Sequence, residues 1–95
     1  MGARDIKDSG TFDAADEQSE TMDVRRADIH IIDAGSFSGT IVLYRIIAGS
    51  SVVVDTITEA EMPYDKVIEN ATIAGTYLKC TARSAGSANY YMQGE

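Results

Sequence analysis

Side chains alternate between apolar and polar over residues 76–83, whose sequence is T-Y-L-K-C-T-A-R. Successive side chains of a strand point to opposite faces, so Leu78, Cys80 and Ala82 would share one face. The wider composition agrees, because the chain has 16 Ile and Val and 8 Thr but only 2 Leu. Branched side chains favour strands, whereas helices favour Leu, Glu and Lys. We therefore predict an all-β protein in which Cys80 is buried.

Short segments that contain glycine separate the apolar runs and predict the turns. Glycine accepts the positive φ angles of tight turns, and hydroxyl side chains bind the local backbone. Five triplets combine a small residue, Gly and a hydroxyl residue: 9–11, 38–40, 48–50, 74–76 and 85–87. We predict strands at 22–26, 28–33, 40–48, 51–58, 64–68, 76–83 and 88–93, with turns at 34–36 and 84–87. This spacing is typical of a single antiparallel β-sandwich of immunoglobulin-like size.

The beginning of the chain differs from the rest in its charge. Residues 1–23 contain seven acidic and two basic side chains and few apolar ones. Such a composition is typical of a solvated leader, although an arm ordered against a neighbouring subunit and a short strand on the domain itself both remain open. We predict an N-terminal acidic arm at residues 1–20 and a β-sandwich domain at residues 21–95.

Charge and residue inventory exclude several classes of function. The net charge of −7 leaves no basic face for nucleic acid or for an anionic membrane surface. His30 and Cys80 are the single His and the single Cys, so a zinc-type site is excluded and a catalytic Cys–His pair requires these two residues to meet. We expect no cofactor, no metal and no enzymatic activity, and we expect folding in a reducing cytoplasm.

Residues 40–48, T-I-V-L-Y-R-I-I-A, form the longest apolar run and would be apolar on both faces of a strand. Ile41 and Leu43 lie on one face by alternation, and the other face carries Val42, Tyr44 and Ile46. A sandwich strand normally keeps one wet face, so this second face is either covered by the same chain or forms a subunit interface. The predicted interaction residues are those three and two on the next strand: Val42, Tyr44, Ile46, Val53 and Ile57.

Two other groups of side chains allow a structural and a functional interpretation. Arg45 falls on the inner side of its strand by strict alternation, so we expect a bulge there or a pair with Asp55 or Glu69 at the end of the sheet. Four tyrosines are compatible with a platform on which sugars stack, although sheet packing explains them equally: Tyr64, Tyr77, Tyr90 and Tyr91.

The order of these segments resembles that of small β-sandwich structural proteins of tailed bacteriophages, of the capsid decoration, cement or neck-associated type. The likeness covers residues 20–93 and lies in the spacing and in the turn residues. The segments that carry it are 37–45, Asp55, 65–69, 75–83 and 87–92. In this family an Asp-Gly-Gly hairpin and a Trp stand where the present chain has residues 47–51 and Val52 or Val53. The resemblance implies a β-sandwich component of a virion.

We therefore expect a non-enzymatic virion protein, assembled in the host cytoplasm, that decorates or cements the capsid. Its partners would be the major capsid protein or other virion proteins, bound through the apolar strand face and the N-terminal arm, with homo-oligomers on the particle. Many weak contacts on one lattice add through effective concentration. Two alternatives remain at this point: a head–tail or tail accessory protein, and a carbohydrate-binding β-sandwich module.

Overall fold

A computed structural model describes residues 6–69 and 75–94 of the chain. These residues form five strands and one short 3-10 helix and contain no α-helix, which confirms the prediction of an all-β protein. The elements are β1 (Ile6–Phe12), β2 (Arg26–Ile47), β3 (Ser50–Ile57), the 3-10 turn Glu59–Glu61, β4 (Tyr64–Glu69) and β5 (Thr76–Gly94). β2 and β5 are far longer than the five or six residues of an ordinary strand.

All five strands belong to one antiparallel sheet in the order β1-β5-β2-β3, and β4 also pairs with β2. β2 and β5 pair along their whole length, from Ala27 opposite Gly94 to Arg45 opposite Thr76. The other strands divide between the two ends of this ribbon. A first layer contains β1, β4, residues 26–32 and residues 88–94, and a second layer contains β3, residues 40–47 and residues 76–83.

Bulges bend the ribbon between the two layers. The register of β2 against β5 shifts four times between Asp33 and Ile41. The carboxylate of Asp33 accepts hydrogen bonds from the backbone N–H groups of Gly35 at 3.0 Å and Phe37 at 3.1 Å, which fixes the bend on β2. The predicted turns at 34–36 and 84–87 are therefore wrong, because both segments are bent parts of continuous strands and the chain does not reverse there.

Inward side chains of both layers form one buried core. Ile29 and Ile31 come from the first layer, and Leu43, Leu78 and Cys80 from the second, all at 0% exposure. The predicted burial of Leu78 and Cys80 is thus confirmed. The prediction that Ala82 shares their face is wrong: Ala82 is exposed, because Thr40 pairs with Ala82 and Ile41 with Cys80, which leaves Thr81 as an extra residue that inverts the alternation. Burial raises the pKa of the Cys80 thiol above its usual value. Because the sheet folds over on this core, the fold is sandwich-like.

The acidic segment at the beginning of the chain packs on the domain throughout residues 6–20, and residues 6–12 of it form the strand β1. β1 pairs with residues 88–94, and the Phe12 ring is buried and stacks on Tyr90 with ring centroids 4.6 Å apart. Further on, the hydroxyl of buried Ser19 accepts a hydrogen bond from the backbone N–H of Leu78 at 2.9 Å. The expected arm at residues 1–20 is therefore wrong for residues 6–20, and residues 1–5 lie outside the described part. Phe12 thus anchors the end of a strand whose preceding residues, 7–11, are polar or glycine.

Candidate interaction surface

The outer face of the second layer carries the apolar side chains that the sequence places on the second face of residues 40–48. Cross-strand register aligns Val53 on β3, Tyr44 on β2 and Tyr77 on β5 in one row. Ile46 lies two residues further along β2, and Val42 two residues before Tyr44, opposite Lys79. We call these five residues the outer patch: Val42, Tyr44, Ile46, Val53 and Tyr77.

Two aromatic rings form the centre of the outer patch. Tyr44 and Tyr77 stack with their centroids 5.0 Å apart and their planes 20° from parallel. The hydroxyl groups of Tyr77 and Ser51 lie 2.7 Å apart and share a hydrogen bond across β2. Rings held in this way present a flat surface that is already ordered, so little side-chain entropy is lost when another molecule contacts it.

The members of the outer patch differ in how much surface they offer. Val53 is 56% exposed, Tyr44, Ile46 and Tyr77 are half-buried, and Val42 is nearly buried at 7%. Val42 therefore supports the patch and adds little contact area of its own. Ile47 and Val52, beside the patch on the same hairpin, are exposed as well.

Ile57 does not lie on the outer patch, so the prediction that it extends this surface is wrong. It is fully buried and pairs with Ile41 in the core. The cause is a bulge in β3, where Val53 pairs with Tyr44 but Asp55 pairs with Leu43, which leaves Val54 as an extra residue. One extra residue inverts the alternation, so Val53 and Ile57 point to opposite faces although they are four positions apart.

Residues 16–22 run along the free side of β5 in the second layer. Gln18 pairs with Lys79 and Met22 with Thr76 as isolated bridges, and the backbone N–H of Asp16 donates to the Cys80 carbonyl oxygen at 2.7 Å. These contacts lie in the plane of the sheet, and the Met22 side chain enters the core. The acidic segment thus closes an edge and is bound beside the outer patch rather than across it.

Polar contacts join the two layers on the side of β3 and β4. Arg45 donates from Nη2 to the backbone oxygen of Glu69 at 3.1 Å, so of the two expected partners the contact is with Glu69. Asp55 accepts a hydrogen bond from the Tyr64 hydroxyl at 2.8 Å instead. Burial, this hydrogen bond and the carboxylate charge raise the pKa of Tyr64 well above its ordinary value. The Tyr64–Asp55 contact thus joins β4 to β3, and the Arg45–Glu69 contact joins β4 to the second-layer part of β2.

The outer face of the first layer carries more charged side chains, although Ile32, Val67 and Tyr91 are also exposed on it. His30 lies 3.3 Å from the Asp65 carboxylate, and Arg26 lies 3.7 Å from Asp28. A groove of ≈ 230 Å³ crosses this face, lined by Lys7, Asp8, Ser9, Asp28, His30, Tyr91, Met92 and Gln93. Its volume is below the range of about 300–1,000 Å³ that is usual for small-molecule sites.

The residues considered for chemistry or for sugar stacking are not brought together. Cys80 faces the core of the second layer, and His30 faces outward on the first layer, so the two do not form a nucleophilic pair. The four-tyrosine platform is also wrong, because each of the four rings lies in a different place: Tyr90 in the core, Tyr64 against Asp55, Tyr77 on the outer patch and Tyr91 on the polar face. Among residues 6–69 and 75–94, no cluster of three His, Cys, Asp or Glu side chains is arranged to hold a metal ion.

Residues 6–69 and 75–94 form no helix that is long and apolar enough to cross a bilayer.

Comparison with solved structures found a fold neighbour. The structure resembles the crystal structure of YomS, an SPBc2 prophage-derived protein, with a TM-score of 0.63 and 10% sequence identity. The superposition covers 98% of this chain and 96% of YomS. At this identity the likeness shows a shared fold over the whole domain. No family model matches the sequence, and no curated protein matches it either.

Proposed function

We propose that this chain is a non-enzymatic structural protein of a bacteriophage virion, and that it acts by protein–protein contact through the outer patch. The prophage origin of YomS supports the phage setting, because the two folds agree from end to end. The segment order of the chain, which resembles small structural proteins of tailed phages, supports the same setting independently. The observation that carries the contact itself is the outer patch, an ordered apolar surface on a domain whose net charge is −7.

The more specific proposal is that the protein decorates or cements the capsid by binding the major capsid protein. Burying the exposed parts of Tyr44, Ile46 and Val53 would contribute at most about 1.5–3 kcal/mol each, before the entropic cost of association. A single contact of that size is weak. A shell repeats its binding sites many times, and copies that also touch one another bind through effective concentration. A small domain with one modest patch suits such a lattice better than a solitary tight complex.

Purified virions that lack this gene product provide the test. We expect the added protein to sediment with these particles at a stoichiometry comparable to that of the major capsid protein. Tyr44→Lys and Ile46→Lys should reduce this binding at least about tenfold, since each places a charge in the patch. Tyr91→Lys is the matched control, because Tyr91 is an exposed tyrosine on the polar face, and it should bind as the wild type does.

The stoichiometry also separates the alternatives within the virion class. A few copies per particle would indicate a head–tail or tail accessory protein and would contradict decoration of the shell. Absence from particles made with the wild-type gene would contradict the virion proposal altogether. Equal binding by the wild type and both patch variants would move the contact away from the outer patch.

A further inference from the structure

β3 is an edge strand whose first five residues, 50–54, lack the charges that protect the other two edges. Among the described residues, β3 pairs with β2 on one side and no strand lies on the other. The edge strand β1 carries Lys7 and Asp8, and β4 carries Asp65, Lys66 and Glu69. Charges of this kind discourage pairing with another chain. Residues 46–54 contain no charged side chain. Within this segment, Val52, Val53 and Val54 are 44%, 56% and 36% exposed.

The register of the hairpin shows which backbone groups of β3 face outward. Ile47 and Ser50 flank the two-residue turn Ala48–Gly49, so they form the first hydrogen-bonded pair with β2. Alternation then directs the N–H and C=O groups of Val52 toward Arg45 on β2. The same groups of Ser51 and Val53 point away from the sheet, and in the monomer they face the free side of β3.

We propose that this edge pairs with β3 of a second copy of the same chain, antiparallel and about a two-fold axis at Val52. In this register Ser51 of each copy is opposite Val53 of the other. Two such pairs exchange four backbone hydrogen bonds, two on each side of the axis. Val52 is opposite its own symmetry mate, and the bulge at Val54 lies just outside the paired segment.

Side-chain chemistry supports a second copy as the occupant. A two-fold strand pair must be self-complementary, and this register places Val54 opposite Ser50 and Asp55 opposite Gly49, so that no like charges meet. Two molecules that each carry a charge of −7 repel one another over most of their surfaces, and this uncharged segment is where that repulsion is least. The pair would also join the two outer patches into one continuous face, since Ser51 and Val53 lie on the patch side of β3.

The proposal does not depend on the virion setting, and purified protein is sufficient to test it. The first experiment compares Val52→Cys with Val54→Cys under mild oxidation. Residues opposite one another at a non-hydrogen-bonded position have Cα atoms about 4.5 Å apart, close enough for a disulfide. The two copies of position 54 would be separated by about four residues of strand, or roughly 13 Å, and could not form one.

We expect Val52→Cys to form a covalent dimer at least ~10-fold faster than Val54→Cys does. Both side chains are exposed, so random collision would cross-link the two variants alike. The native Cys80 is buried and present in both. Equal rates, or no cross-link with either variant, would overturn the proposed register.

Sedimentation velocity over a range of concentrations is the second measurement. The paired segment is short, so we expect reversible dimerisation that becomes visible as the concentration rises. Val52→Lys would place two ammonium groups opposite one another at the axis and should leave the protein monomeric. Val67→Lys, a change of an exposed valine on the edge strand β4, should dimerise as the wild type does. A wild-type protein that is monomeric at every concentration, as would be expected if β3 bound only a different partner, would overturn the proposal.

Discussion

The hydroxyl of Tyr90 donates a hydrogen bond to Oδ2 of Asp8 at 3.1 Å, and the same carboxylate oxygen accepts another from the backbone N–H of Glu20 at 2.8 Å. Asp8 thereby joins β1, the segment after it and β5 at one point. Burial of Tyr90, the charge of Asp8 and this hydrogen bond together raise the pKa of Tyr90 to about 12.

This pKa predicts a loss of stability at alkaline pH. Tyr90 ionises near its ordinary pKa of about 10 in the unfolded chain but near 12 in the folded protein, so the folded state binds the proton more tightly. Its contribution to stability is therefore complete below pH 10 and decreases as the pH rises from 10 to 12. Tyr90→Phe should be less stable than the wild type at pH 7 and should lose less stability over that interval, as measured by urea unfolding. Tyr91→Phe, at an exposed position, should follow the wild type, and parallel curves for Tyr90→Phe and the wild type would contradict the assignment.

Phe12 predicts that the N-terminal acidic segment contributes to folding. Its ring is buried against Tyr90, so Phe12→Ala should reduce the free energy of unfolding by about 3–5 kcal/mol. Ser9→Ala, at an exposed position of the same strand, should change it by less than about 0.5 kcal/mol. Chemical denaturation measures both. A Phe12→Ala variant as stable as the Ser9→Ala variant would restore the interpretation of this segment as an arm.

The acidic segment shows where reading the sequence succeeds and where it fails. Ile29, Ile31, Leu78 and Cys80 were placed correctly because they alternate with polar residues, and the inward period of two is visible locally. Phe12 stands alone among acidic and small residues, so no local period indicates that it is buried. Its burial depends on Ala88 and Tyr90 at the far end of the sequence, a pairing that composition does not encode.

Backbone packing at the bend predicts a sharp difference between glycines. A Cβ atom at Gly86 would overlap the carbonyl oxygens of Gly35 and Ser36, and Gly86 also has a φ of 71°. Gly86→Ala should therefore destabilise the protein by more than about 2 kcal/mol or prevent folding. Gly35→Ala is the matched control, since the nearest atom to its Cβ would be Ser87 Oγ at 3.8 Å. Thermal unfolding of the two variants checks this, and equal melting temperatures would contradict the tight approach of the two strands.

The hairpin turn predicts a stabilising substitution. Ala48 has a φ of 53°, in the left-handed region that costs a residue with a Cβ about 1 kcal/mol relative to glycine. Ala48→Gly should therefore raise the free energy of unfolding by about 0.5–1 kcal/mol, less the entropy that glycine adds to the unfolded chain. Gly49→Ala, at a φ of 82° with open space around the Cβ, should lower it by a similar amount. If calorimetry shows the same sign for both, the turn has a different geometry.

The bend and the bulge explain the remaining differences from the sequence predictions. Segments such as 34–36 and 84–87 contain the same small, glycine and hydroxyl residues as the true hairpin turn at Ala48–Gly49. Whether such a segment reverses the chain or bends it is decided by the partner strand, because Gly86 on β5 meets Gly35 on β2. The bulge at Val54 could not be predicted either, because three consecutive valines at 52–54 do not indicate which of them is the extra residue. This bulge places the Ile57 side chain in the core while Val53 stays on the outer patch.

The pairing of Ile6 with Gly94 determines when this protein can fold during its synthesis. The ribosome releases β1 first, but the strand that β1 needs is made only with residues 88–94. β2 likewise leaves the ribosome long before β5, so the backbone groups of β2 that pair with β5 stay unpaired until residues 76–94 have been made. Sheets built from such non-local pairs fold slowly, in about milliseconds to seconds. The chain loses the entropy of closing a long loop before the strand contacts that compensate for this loss can form. We therefore expect the nascent chain to remain unfolded until β5 has left the ribosome, with its apolar strands exposed to chaperones in the meantime.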